Sequence, residues 1–145
     1  MIVQLAIGSA LILATVMITA LSWWLMEVPL ERFRRWAVHT PRRSRIAVVL
    51  AAVLLYTLGV LTVSVWLWAI AFSALGLFAT LEEAVYFALV SFTTLGFGDI
   101  LLPRDWRLLG GMAATNGFLS FSLLTAILVE TFRVLRRARQ EERFD

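Results

Sequence analysis

The stretch Thr93-Thr94-Leu95-Gly96-Phe97-Gly98-Asp99 decides how this 145-residue chain is read. Glycines at alternate positions let the backbone visit φ > 0 at every second residue, a conformation that L side chains resist. Successive carbonyls can then turn to one side of the segment while Leu95 and Phe97 pack their side chains the other way. Such a segment cannot be helical throughout, and it ends on an acid, Asp99.

Around it the chain is too oily for water. Apolar side chains make up 61% of the residues, charged ones 16%, and the mean hydropathy is +0.86. A soluble domain has roughly 45–50% apolar and about 25% charged residues, and a globule this small cannot hide the excess. The bilayer is therefore the expected solvent, and the lipid bilayer the first partner. There is no cysteine and one histidine, which removes disulfides, thiolate metal sites and multi-histidine centres. All thirteen cations are arginine, gathered mostly in two clusters, a pattern of membrane topology and not of nucleic-acid binding.

Three uncharged runs are long enough to cross. Met1 to Met26 exceeds the roughly 20 residues that a bilayer core requires. It lacks the basic start and cleavage site of a signal peptide, so it is expected to persist as a peripheral helix, residues 1–26. Residues 27–45 follow as a basic linker carrying Arg32, Arg34, Arg35, Arg42, Arg43 and Arg45. Within it, Leu30 to His39 reads either as a short interfacial helix between Pro29 and Pro41 or as a solvated loop. The second run, Ile46 to Ala79, is too long for one span, so its helix is expected to stop near Ala71 with a turn around Gly76. A third span runs from about Arg107 to Phe132, followed by Arg133, Arg136, Arg137, Arg139 and Arg143 in a short basic tail, residues 134–145. Arginine-rich segments face the cytoplasm, which places the N-terminus outside and the C-terminus inside an inner or plasma membrane.

Leu81 to Leu102 carries too few apolar residues to cross twice, yet starts and ends on the outer side. It reads as a short helix followed by irregular backbone, that is, a re-entrant loop. Unpaired backbone at membrane depth is tolerated only where protein buries it or water reaches it, so the loop should line a pore. Thr80 and Glu83 form the capping-box pattern that starts the short helix.

The seven-residue stretch resembles the selectivity filter of the potassium-channel superfamily, usually written TTVGYGD. That filter is itself the known instance of backbone carbonyls replacing an ion's hydration shell, so the ion-binding role is carried by the resemblance and not by the spacing. The likeness covers residues 81 to 133, in an all-α pore module of outer helix, re-entrant pore helix, filter and inner helix, residues 46–133. It implies a homotetramer of subunits with three spanning helices, conducting dehydrated potassium through rings of carbonyls from Thr94, Leu95, Gly96 and Phe97. Potassium is then the permeant ligand, with no cofactor. Thr93, Gly98 and Asp99 would support the filter. Tyr86 stands thirteen residues before Asp99, where the family often has an aromatic donor that braces this acid; simple packing explains it equally well.

Two departures bear on selectivity. Phe97 replaces tyrosine and deletes a hydroxyl, and Leu95 replaces valine and adds a methylene at a tight position. A weakly selective cation channel is therefore an alternative, and a non-conducting accessory membrane protein is another. No H-E-x-x-H, G-x-S-x-G or paired intramembrane carboxylates point to an enzyme.

The third span offers gate and cavity candidates. Gly117 is either a hinge or a small residue for close packing; Gly110 and Gly111 read as packing. Asn116 faces a wet cavity or bonds a neighbouring helix. Glu130 forms a carboxylate ring at the inner end, or pairs with an arginine such as Arg133. No arginine ladder of a voltage sensor occurs in the first two spans, and His39 among arginines is a conceivable proton or lipid sensor.

Overall fold

A computed structural model describes the backbone of residues 1–38 and 43–141. Four helices follow in order: α1 (Ile2–Val38), α2 (Arg43–Ala74), the short α3 (Leu81–Phe92) and α4 (Arg107–Glu141), the last entered through a 3-10 turn at Arg104–Trp106. Among the described residues there is no strand. Segments Ile2–Ser22, Ala47–Ala74 and Arg104–Arg133 are long and apolar enough to cross a membrane. The protein is all-α, with three candidate spans and one short helix between the second and third.

Helix boundaries follow local chemistry. α2 runs to Ala74, three residues beyond the expected Ala71, and stops in a Schellman motif. Gly76 takes φ 65°, Leu77 N–H donates to the Phe72 carbonyl at 3.1 Å, and Gly76 N–H donates to Ser73 at 2.9 Å. α3 starts at Thr80, whose hydroxyl accepts from the Glu83 N–H at 3.2 Å. Glu83 reaches back to the Ala79 N–H at 3.1 Å, one residue earlier than a strict capping box requires. α1 departs from the expected boundary at Met26. The helix continues through Pro29 to Val38, while its stretch long and apolar enough to cross a membrane ends at Ser22. The segment after Pro29 is built of strong helix formers, Leu30, Glu31, Arg32, Arg34, Arg35 and Ala37, whose propensity opposes the break that a proline favours. His39 to Arg42, including the histidine considered as a sensor, lie outside the described residues, as do residues 142–145.

The core lies where α3 is wedged between α2 and α4. Trp68, Ala69 and Phe72 of α2, Ala84, Ala88 and Phe92 of α3, and Leu109 and Ala113 of α4 are buried there. Phe72 meets Phe87 edge-on with centroids 5.4 Å apart, and Phe78 closes over both. Two α4 glycines seven residues apart face α3. A Cβ on Gly110 would sit 3.2 Å from Phe87 and from Leu102, and one on Gly117 would lie 2.6 Å from the Phe92 carbonyl carbon and 2.8 Å from its Cα. The expected packing role holds for Gly110. Gly111 is exposed in the single chain with open space around it.

α1 runs parallel to α4 in a constant register. The Gln4 amide donates to the Asp105 carbonyl, a Cβ on Gly8 would sit 3.2 Å from Leu109, and Thr15 bonds Asn116, each pair 101 residues apart.

Adding one methyl distinguishes these glycines. Gly117→Ala meets backbone, which cannot move aside as a side chain does, so the folded protein should lose about 1–3 kcal/mol or more. Gly111→Ala meets nothing and should be neutral or gain up to about 1 kcal/mol of helix propensity. Thermal or detergent denaturation of the purified protein reads both; equal effects would contradict the assignment.

Candidate ion-conducting loop

The C-terminus of α3 hands the chain directly to the loop. Thr93 caps the helix, its N–H and hydroxyl both donating to the Leu89 carbonyl at 2.9 and 2.8 Å. The next three N–H groups fold back onto the last turn, Thr94 to Ser91 at 2.9 Å, Leu95 to Val90 at 3.0 Å and Gly96 to Val90 at 3.4 Å. Carbonyls of the last α3 turn thus accept from the first loop residues.

From there the backbone alternates. Thr94, Gly96 and Gly98 have φ of 60°, 58° and 76°, and these are the positive values of the loop. Around Gly96 and Gly98 there is space for a side chain, so glycine is required there for its torsion alone. Thr94 has no such freedom. A β-branched residue held at positive φ costs of order 1–3 kcal/mol, a strain found mostly where function over-determines the backbone. Sequence reading anticipated alternation at the glycines; extension of the same alternation to Thr94 was not legible, because nothing in threonine invites it.

All residues from Thr94 to Asp99 are exposed in the single chain. Leu95 and Phe97 retain 59% and 67% of their accessible surface, although they are large and apolar. Within one subunit nothing covers them.

Tyr86 and Asp99 are brought together. The Tyr86 hydroxyl donates to the Asp99 carboxylate at 2.6 Å, a short charge-assisted bond spanning thirteen residues. The bond holds the Asp99 carboxyl below its ordinary pKa, with backbone N–H groups of Ile100 and Asp99 adding to the effect against some desolvation. The same bond, with desolvation and the carboxylate's charge, pushes the Tyr86 phenol up. Of the two readings open for Tyr86, the brace is the one the geometry contains.

The candidates on α4 do not join this group. Asn116 is fully buried away from any cavity, its amide donating at 2.7 Å to the Thr15 hydroxyl, which in turn gives its single proton to the Ile12 carbonyl at 2.8 Å. Gly117 is buried against the Phe92 backbone. Glu130 lies between three and four turns further along α4, exposed and 3.8 Å from Arg133. Of the two readings open for Asn116, the bond to a neighbouring helix is the one the geometry contains, and Gly117 has the close packing of its second reading: a buried amide without a partner is costly, and α1 supplies the partner. Overlooked in their place are Thr115, Ser122 and Thr125. They are exposed on α4 and bond the carbonyl one turn back, Gly111, Phe118 and Phe121, at 3.0, 2.9 and 2.8 Å. The seven-residue spacing of Thr115 and Ser122 in an apolar span was the available signal. Among the described residues no three Asp, Glu or His side chains converge.

Comparison with known proteins agrees with this geometry. No curated protein and no solved structure matches the chain. A family described as ion channel matches residues 46–134, from the start of the second span to the end of the third, with α3 and the loop between them. That match covers more than half of the chain: the protein belongs to the ion channel family.

Proposed function

We propose that the chain forms a homotetrameric potassium channel, with the loop from Thr94 to Phe97 as its selectivity filter. The observation that carries the reading is the alternation of backbone handedness at Thr94, Gly96 and Gly98, immediately after a short apolar helix wedged between two candidate spans. Alternation turns the carbonyls of Thr94, Leu95, Gly96 and Phe97 toward one axis, and four such segments give stacked rings of oxygens that replace the water of a dehydrated potassium ion. A single loop offers each ion one side of a cage. Four subunits complete it, and their contact also covers Leu95 and Phe97, whose exposure in one chain is otherwise an apolar liability.

The remaining parts take roles around that axis. α2 is the outer helix of the pore, α4 the inner one, and α1 a peripheral helix outside the matched family region. Thr93 and Gly98 support the filter ends, and four Asp99 carboxylates form an outer ring that concentrates cations. The α3 C-terminus directs its partial negative charge toward the inner end of the filter. Thr115, Ser122 and Thr125 give the inner helix a hydroxyl stripe suited to a water-filled vestibule, since polar atoms facing lipid would be unfavourable. Arginine clusters toward the C-terminal ends of α1 and α4 orient the N-terminus outside and the C-terminus in the cytoplasm of a plasma membrane.

A second reading, weak discrimination between potassium and sodium, is favoured by Phe97. It has no hydroxyl with which to tie the middle of the filter to its surroundings, so the hydrogen bonds are left to the two ends of the loop. Reversal potentials in planar bilayers under potassium and sodium gradients separate the two readings. A shift toward the potassium equilibrium potential supports selectivity, and a value midway supports the second reading.

Two variants test the site. Gly98→Ala places a Cβ at φ 76°, costing about 1–2 kcal/mol per subunit at the filter itself. Potassium flux from liposomes is expected to fall at least about tenfold, the rate change that about 1.4 kcal/mol produces. Undiminished flux in a folded Gly98→Ala protein would contradict the filter, and no flux from either folded protein would favour the accessory-protein reading. Tyr86→Phe removes the donor that keeps Asp99 ionised. Because the folded-state carboxyl is depressed, the wild-type mouth keeps its charge as pH falls until that depressed pKa is reached. Without the donor the carboxyl titrates higher, so external acid should reduce flux at a higher pH in Tyr86→Phe than in wild type. An unmoved midpoint contradicts the brace.

A further inference from the structure

A groove opens between α2 and the start of α3, on the side of α3 where Leu81, Glu82 and Leu89 are exposed. Trp66 of α2 and Leu81, Glu82, Val85 and Tyr86 of α3 line it, around a volume of about 470 Å³. Small-molecule sites enclose roughly 300–1,000 Å³, so the space is large enough to hold one. Its walls are apolar and aromatic except at Glu82. The Tyr86 hydroxyl is already given to Asp99, and neighbouring Glu83 is turned to the Ala79 N–H. Glu82 is left as an exposed carboxylate, and among the described residues no arginine lies within ion-pair distance of it.

From the groove a trough continues back along α2. Leu55, Gly59, Thr62 and Trp66 are all exposed, and their spacing puts them on one face of the helix. Gly59 has open space where a side chain would stand. The Thr62 hydroxyl bonds the Leu58 carbonyl at 2.8 Å, so it needs no polar partner outside the helix. Between Leu55 and Trp66 the helix rises about 16 Å, close to half of a roughly 30 Å hydrocarbon core and so to the depth of one leaflet. Trp66 closes the trough at its groove end, where an indole suits the boundary between acyl chains and headgroups.

We infer that the groove holds one phospholipid of the outer leaflet by an ammonium headgroup, with Glu82 and the face of Trp66 receiving the ammonium and the α2 trough seating an acyl chain. The choice of leaflet rests on the orientation proposed above. A soluble ligand would leave the trough unused, and an anionic headgroup would meet Glu82 as a like charge. An ammonium is attracted by the carboxylate and by the aromatic face together, and its chain covers apolar surface that the subunit leaves open.

Lipid retention tests this without any ion flux, so a chain that conducts nothing still passes or fails. The purified, delipidated protein is incubated in detergent with equal amounts of phosphatidylethanolamine, phosphatidylcholine and phosphatidylglycerol carrying identical acyl chains. Native mass spectrometry then counts the lipids that stay bound. At least one of the two amine lipids should exceed the anionic one at least about fivefold. Preference for phosphatidylethanolamine marks a hydrogen-bonded primary ammonium, and preference for phosphatidylcholine a quaternary one held on Trp66. Glu82→Gln should bring the amine-to-anion ratio within about twofold of unity, and Glu82→Lys should invert it. Gly59→Leu fills the trough at a position with free space, so the helix should stay folded while retention of all three lipids falls at least about threefold. Equal retention of the three by the wild-type protein, a preference for phosphatidylglycerol, or no bound lipid because a neighbouring subunit fills the groove overturns the site. A preference unchanged in Glu82→Lys overturns it as well.

Discussion

Backbone polar groups have nowhere to go in hydrocarbon, and the architecture of this chain follows from that constraint. Between the end of α3 at Phe92 and the 3-10 turn at Arg104 the main chain is irregular, yet it lies between two helices long and apolar enough to span. Its first N–H groups are satisfied by folding back on Ser91 and Val90. The carbonyls that follow have no helix to join. A chain that leaves such oxygens open at membrane depth must face them to water, to protein or to a permeant cation. An ion channel is the class of protein in which an open row of carbonyls is the working part.

Holding that loop requires a stiff frame, and the frame is built from close approach. α3 has twelve residues, too short to be stable by itself, so its helicity depends on the packing of its apolar face. Phe87 and Phe92 supply that face, and Gly110 and Gly117 of α4 give it room to sit against the inner helix. At the other end, Thr80 and Glu83 set where the helix begins, and the glycine-capped end of α2 sets the approach. The Tyr86–Asp99 bond then ties the far end of the loop to the same helix that launches it. Both ends of the loop are therefore referred to α3, and α3 is referred to α2 and α4.

Much of this was legible in the residues, and the failures have a common cause. Span positions, the start of α3 and the torsional need at Gly96 and Gly98 follow from local chemistry, so they could be read directly. Asn116 and Gly117 were each left between two readings because their contacts depend on partners 101 and 25 residues away, Thr15 and Phe92. Thr15 itself carries no signal, being one hydroxyl in an apolar run. Positive φ at Thr94 is likewise invisible, since the surrounding structure imposes it against the preference of the residue. The continuation of α1 through Pro29 shows the reverse weighting, with a strong local breaker outvoted by the helix formers that follow it.

Because the account places bound ions among main-chain oxygens, density is the most direct witness. An experimental map of the protein in lipid, recorded with an electron-rich monovalent ion such as thallium or rubidium in place of potassium, should show four subunits around a central axis. A column of ion peaks should lie on that axis, level with the carbonyls of Thr94 to Phe97. A map with residues 93–99 as a surface turn, or with subunits that enclose no fourfold opening, contradicts it.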